Sequence, residues 1–244
     1  MSQDFKGWDN AFTAKSPYGT VKGSPSYAGA LSFMRRKYSQ ELEGIDVAVA
    51  GIPLDTATTN RPGARFGPRA VRAASAGISW ERPWPWSFDP FDRLAVVDYG
   101  DCEFDPGLPE TIVPFIEKYF DRILDAGAAS LMIGGDHFVT YPVLRSYAKK
   151  YGPLSLVHFD AHSDTWGEEQ QRLDHGTMFY HAAKEGLVDD SRSVQVGLRT
   201  TNDEPLGFNI LDARWVHAHG PEAVTGKILE IVGDNAVYLT FDID

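Results

Sequence analysis

One cysteine, Cys102, stands among 244 residues, so no disulfide can form within the chain, and the usage suits a reducing cytosol. No run is long and apolar enough to read as a membrane span. The opening residues, Met-Ser-Gln-Asp-Phe-Lys, lack the basic-then-apolar order of a secretory signal. Positive charge is scarce too: 23 Lys and Arg against 34 Asp and Glu leave a formal net charge of −11. Such a balance argues against nucleic acid or an anionic membrane as partner and is compatible with a cationic substrate. Neither Gly-x-x-x-x-Gly-Lys-Ser/Thr nor Gly-x-Gly-x-x-Gly occurs, so a nucleotide cradle has no support.

What is present alternates strand and helix signals. Residues 1–44 are rich in aromatics and turn formers, with a short helix expected over 27–38. They read as an arm laid over a domain or a neighbouring subunit, or as a loose extension. Residues 45–52 read as a first buried strand and 94–97 as a second. Helical spacing of Ile112, Ile116, Tyr119, Phe120 and Ile123 predicts a helix over 109–126. Strands follow at 130–133, in the stretch 154–165, and at 193–198 and 237–243, with a helix at 141–150. The alternation predicts an α/β fold built on a mostly parallel sheet covered on both faces, with functional residues at the carboxyl ends of the strands. In the loop 53–72, Pro68 is placed to open a helix. Its Arg61, Arg65, Arg69 and Arg72 read as partners in ion pairs between subunits, ahead of an anion site.

Three strand ends carry concentrated polar chemistry. The first ends in His137, the second in Asp160, His162 and Asp164, and the third in Asp242 and Asp244. In an extended segment, residues two apart share a face. On that basis Asp160, His162 and Asp164 project together, as do Asp242 and Asp244. Gathering four carboxylates and two imidazoles is costly unless cations compensate. Such a set can hold two divalent ions, and its oxygen-rich, thiolate-free character favours manganese over zinc. His158 lies in the same strand phase as Asp160, within reach of a hydrogen bond to it. His175, in a turn, reads either as a surface histidine or as a proton shuttle.

Gly-Gly-Asp-His (134–137), Asp-Ala-His-Ser-Asp (160–164) and Phe-Asp-Ile-Asp (241–244) resemble, in that order, the three metal motifs of the ureohydrolases, the arginase and agmatinase family. The loop 57–69, Trp80-Glu81 and Asp-His-Gly-Thr-Met-Phe (174–179) resemble the agmatinase branch. The resemblance implies a three-layer α/β/α sandwich over 45–244 and two Mn2+ per subunit. His137, Asp160, Asp164 and Asp242 would hold one ion, and Asp160, His162, Asp242 and Asp244 the other. It further implies that a metal-bridging hydroxide, oriented by Asp164, attacks the guanidinium carbon and that His175 transfers the proton. Agmatine would then yield putrescine and urea in a cytoplasmic trimer or hexamer.

Where arginases carry an asparagine and a serine for the amino-acid end of arginine, this chain resembles them only in position, with Trp166 and Gln171. Glu168 and Glu169 are placed to attract the ammonium of agmatine, and Arg172 the carboxylate of 4-guanidinobutanoate. A non-catalytic binding protein of the same fold is the reading from another class. The last residue, Asp244, falls inside the third motif, and the family's guanidinium-pairing glutamate has no match. The expectation is therefore a domain without its C-terminal part and with apolar surface left uncovered.

Overall fold

The computed structural model describes residues 27–79, 82–167, 172–203 and 205–244. Trp80-Glu81, Glu168, Glu169, Gln171 and the first 26 residues of the arm lie outside them. The chain forms two units, Met1–Gly135 and Asp136–Asp244.

In the first unit, β1 (Val47–Ile52) is the middle strand of a parallel three-stranded sheet, between β2 (Val96–Asp101) and β3 (Ala129–Gly134). Its small and β-branched residues suit a position covered on both faces, and all but Val47 are buried. β2 runs on through Asp98-Tyr99-Gly100-Asp101, beyond the expected end at 97. The helix α1 (Gly67–Ala76) opens with Pro68 in its first turn, as the sequence implies. α2 (Ile112–Asp125) buries Ile112, Ile116, Tyr119, Phe120 and Ile123, the stripe that its spacing marks out. Gly135 lets the chain leave β3 beside Leu54, since a Cβ there would sit 1.8 Å from the Leu54 carbonyl oxygen.

Two expectations fail here. No helix spans 27–38: only a 3-10 turn, Phe33–Arg35, forms, with left-handed φ at Met34 and Arg35. The amide groups that an α-helix needs are taken elsewhere. Phe33 N–H donates to the Asp98 carboxylate, Met34 N–H donates to the Ser75 hydroxyl, and the Lys37 carbonyl accepts from Asp98 N–H. Nor do Arg65 and Arg72 await another subunit. Arg65 pairs with Asp55, and Arg72 reaches both oxygens of Asp98 (2.8 and 2.9 Å) and Asp101 at 2.5 Å. Buried carboxylates demand a close cation, and the chain supplies it locally.

The second unit holds a parallel four-stranded sheet in the order β6 (Asn209–Leu211), β5 (Val194–Val196), β4 (Ser155–Phe159), β7 (Val237–Phe241). α3 (Thr140–Tyr151) and α4 (Met178–Lys184) contribute Tyr141, Leu144, Met178 and Phe179 to a core with Leu154 and Leu156. α5 (Ala213–Val232) adds Val224 and Val232 to a second core with Val157, Val194 and Val196. α4, β6 and α5 are absent from the sequence-based expectation. α5 hides because Gly220-Pro221 reads as a breaker, and Gly220 is indeed non-helical at φ 77° inside it. β7 is an edge strand whose outward side chains Val237, Leu239 and Phe241 are 45%, 63% and 65% exposed.

Candidate metal centre

The local backbone, rather than strand alternation, gathers the acidic residues. β4 ends at Phe159, so Asp160, His162 and Asp164 lie in a loop, and Asp164 adopts a left-handed φ of 52°. That corrects the expectation of an extended segment with one ligand face. Asp160 turns the chain by accepting the His162 N–H on Oδ1 at 2.7 Å. Bonds from the following segment hold the loop: Arg199 and Thr200 N–H donate to the Ala161 carbonyl, and Phe179 N–H to that of Asp164. On the neighbouring strand the same device recurs, with Asp244 N–H donating to Asp242 Oδ1 at 3.2 Å. Asp242 N–H donates to the Phe159 carbonyl, which ties the two loops together.

These turns converge on His137, which sits in a 3-10 turn (His137–Val139) leading into α3. Its Nδ1 lies 2.9 Å from Asp164 Oδ2, 3.1 Å from Asp160 Oδ2 and 3.2 Å from Asp242 Oδ2. Nε2 faces the Thr240 hydroxyl at 2.8 Å, which fixes the ring. A second group adjoins the first. His162 Nδ1 is 3.1 Å from Asp160 Oδ1 and 3.4 Å from Asp244 Oδ1. Asp160 thus offers one oxygen to each group. All six residues read from the sequence as metal ligands are brought together.

Burial sets the electrostatics. It opposes a positive His137 ring, but the hydrogen bonds to Asp160 and Asp164 and the nearby Asp242 carboxylate outweigh it and push His137 up to about 10. Desolvation works against the Asp160 charge, yet bonds from His137 and His158 hold that carboxyl well below its usual range. Asp164 is raised, because its burial outweighs the help from His137. Three crowded carboxylate oxygens favour a positive charge at their centre. A nitrogen and three carboxylate oxygens at this spacing also suit a divalent cation. His137, His158, Asp160 and Asp164 form one group able to hold an ion, and Asp160, His162 and Asp244 another.

His158, fully buried, lies 2.8 Å from Asp160 Oδ2, the hydrogen bond that its strand phase suggested. Its burial lowers its pKa, so the ring is neutral near neutral pH. Thr240 escaped the sequence reading, although its place two residues before Asp242, on the same side of β7, is a signal for it. His175 lies in the turn before α4, partly buried, with Nδ1 buried and without a hydrogen bond among the described residues. Arg172 is exposed and pairs with Asp174, so its charge is already engaged within the chain.

Fold and donor set together define an arginase-type hydrolase scaffold, and the arginase family model matches residues 45–244. The chain belongs to the arginase family. Within it, the chain is 54% identical over its whole length to an agmatinase of Chromobacterium violaceum, covering 76% of that protein. A hypothetical agmatinase from Burkholderia thailandensis superposes with a TM-score of 0.93 at 56% identity, over 96% of this chain and 74% of that one. The proclavaminate amidino hydrolase of Streptomyces clavuligerus follows at TM-score 0.84 and 37% identity, over 90% and 75% of the two chains. Among the described residues no helix is long and apolar enough to cross a membrane.

Proposed function

We propose that the protein is a manganese-dependent amidinohydrolase that hydrolyses agmatine to putrescine and urea. The observation that carries this reading is the division of Asp160 between two donor groups, one oxygen facing His137 and the other His162. A shared carboxylate between two nitrogen-and-oxygen groups is what a pair of divalent ions requires. Two such ions, when bound, supply hydroxide from water at neutral pH. His137, Asp160, Asp164 and Asp242 would hold one, and Asp160, His162, Asp242 and Asp244 the other. The identities with agmatinases support the substrate.

The chain's own groups have separable tasks. Asp164, fixed by its left-handed backbone and its contact with His137, orients the attacking oxygen. His175 transfers the proton to the departing amine, and its unpaired Nδ1 supports a ring kept free for that purpose. Glu168 and Glu169 attract the ammonium tail of agmatine. The pairing of Arg172 with Asp174 weakens the case for a carboxylate tail. In this reading the protein acts in polyamine synthesis, in the cytoplasm, as a trimer or hexamer. Urea release from agmatine and from 4-guanidinobutanoate, each with Mn2+, tests it. Faster release from agmatine is expected, whereas equal or faster release from the acid overturns the substrate assignment. Mn2+ uptake without urea from any guanidino compound favours the binding protein.

A further inference from the structure

Gln195 sits on β5 directly opposite His158 of β4 in the parallel ladder, and both are fully buried. Its Nε2 lies 2.6 Å from the Ser163 carbonyl oxygen and 3.2 Å from His158 Nδ1. A carbonyl can only accept, so the atom facing it is the amide NH2. The second hydrogen of that group then points to Nδ1, which must accept and carries no proton. The ring proton is left on Nε2, where it is donated to Asp160 Oδ2 at 2.8 Å.

Reversing the amide would press Oε1 against the Ser163 carbonyl oxygen. In the observed orientation Oε1 is buried and has no partner among the described residues. Leaving a buried acceptor unpaired is costly, so something must hold the amide this way round. The two donor bonds do so.

The structure assigns Gln195 as the positioning residue of this site: it locks His158 in the Nε2–H tautomer and thereby aims the Asp160 carboxylate. The same NH2 group grips Ser163, which lies between His162 and Asp164, so one amide sets both the shared carboxylate and the loop. His158 also falls within ion-holding distance of His137, Asp160 and Asp164. With its Nε2 protonated it is a hydrogen-bond donor to Asp160 and not a ligand. This inference rests on the two-ion reading for its consequence, although the tautomer stands apart from it.

The full chain, 15N-labelled and stripped of metal by chelator, reports the tautomer through long-range 1H–15N correlations of the histidine rings. His158→Gln identifies the signal. The unmodified protein is expected to show His158 protonated at Nε2. Gln195→Met should give a mixed or inverted pattern. Its affinity for Mn2+ alone, by calorimetry, should fall by about 10- to 100-fold, the scale for losing an outer hydrogen-bond partner of a metal site. Gln195→Glu, whose ionised carboxylate accepts, should bring a proton to Nδ1 as well and give a doubly protonated ring. A wild-type ring protonated at Nδ1 overturns the assignment, as does Gln195→Met with a wild-type ring pattern or with Mn2+ affinity within twofold. A lowered melting temperature with pattern and affinity unchanged makes Gln195 merely structural. If the unmodified chain takes up no Mn2+, the two-ion reading fails, and the ring pattern alone still decides the tautomer.

Discussion

β4 and β7 are neighbours in one sheet and each ends in candidate ligands, yet their surroundings are opposite. β4 is flanked by β5 and β7, and four of its five residues are buried. On β7 only Thr240 is buried, and the strand forms the edge. The contrast extends to the carboxylates: the side chains of Asp160 and Asp164 are 1% and 7% exposed, those of Asp242 and Asp244 24% and 74%. Behind Asp160 stand His158 and Gln195, and around the loop stand Arg199, Thr200 and Phe179. Asp242 is held by its bond to Phe159, the turn to Asp244 and its contact with His137. Among the described residues, the Asp160 half of the site is therefore braced by neighbouring segments, and the Asp242–Asp244 half is the more open. Preorganisation resides on β4.

The largest effect is expected at the shared carboxylate. Asp160→Ala should remove binding at both ion positions and lower urea release by roughly 10³-fold or more, equivalent to about 4 kcal/mol. Near-wild-type turnover would show that the two donor groups do not depend on one bridge. Packing offers the next largest difference. Leu156→Ala on β4 should cost about 2–5 kcal/mol in urea denaturation, because it opens a cavity in a closed core. Leu239→Ala on β7 should stay within about 0.5 kcal/mol. Similar costs at the two positions would erase the distinction.

A smaller effect is expected at the open half. Asp244→Asn should weaken one of two Mn2+ sites by about 10- to 100-fold, comparable to losing an outer partner, since water can stand in for an exposed oxygen. Loss of both sites would contradict the division of labour. Closed strand ends also have a pH signature, which Cys102 at the end of β2 provides. Burial, with help from the Asp101 carboxylate, pushes its thiol up to about 12 from an ordinary 9.0. The unfolded thiol ionises above pH 9 and the folded one does not. Stability is therefore retained below pH 9 and lost as pH rises towards 12, by about 1.4 kcal/mol at pH 10. Denaturation at pH 8 and pH 10 should show that extra loss in the wild type and not in Cys102→Ala. Equal losses would mean that the thiol is not closed off.

The sequence makes the candidate ligands legible and the means of gathering them much less so. Asp160, His162 and Asp164 could be picked out because acids and histidines at short spacing after an apolar run need a chemical reason. Their arrangement could not, since it depends on a left-handed Asp164 and on carbonyl partners some 35 to 40 positions away, such as Arg199 and Thr200 bonding to Ala161. Long-range pairings leave no local pattern. The stripe of α2 was readable from helical spacing, whereas α5 was not, because Gly220 and Pro221 interrupt it. Thr240 and Gln195 are ordinary strand residues until the register sets them against His137 and His158.

The proposed function requires that His137, Asp160, His162, Asp164, Asp242 and Asp244 form two ion sites sharing Asp160. Titration of the chelator-treated protein with Mn2+, followed by calorimetry, tests it most directly. Two ions per wild-type chain are expected, with neither bound tightly by Asp160→Ala. A wild-type stoichiometry of one or none would contradict it.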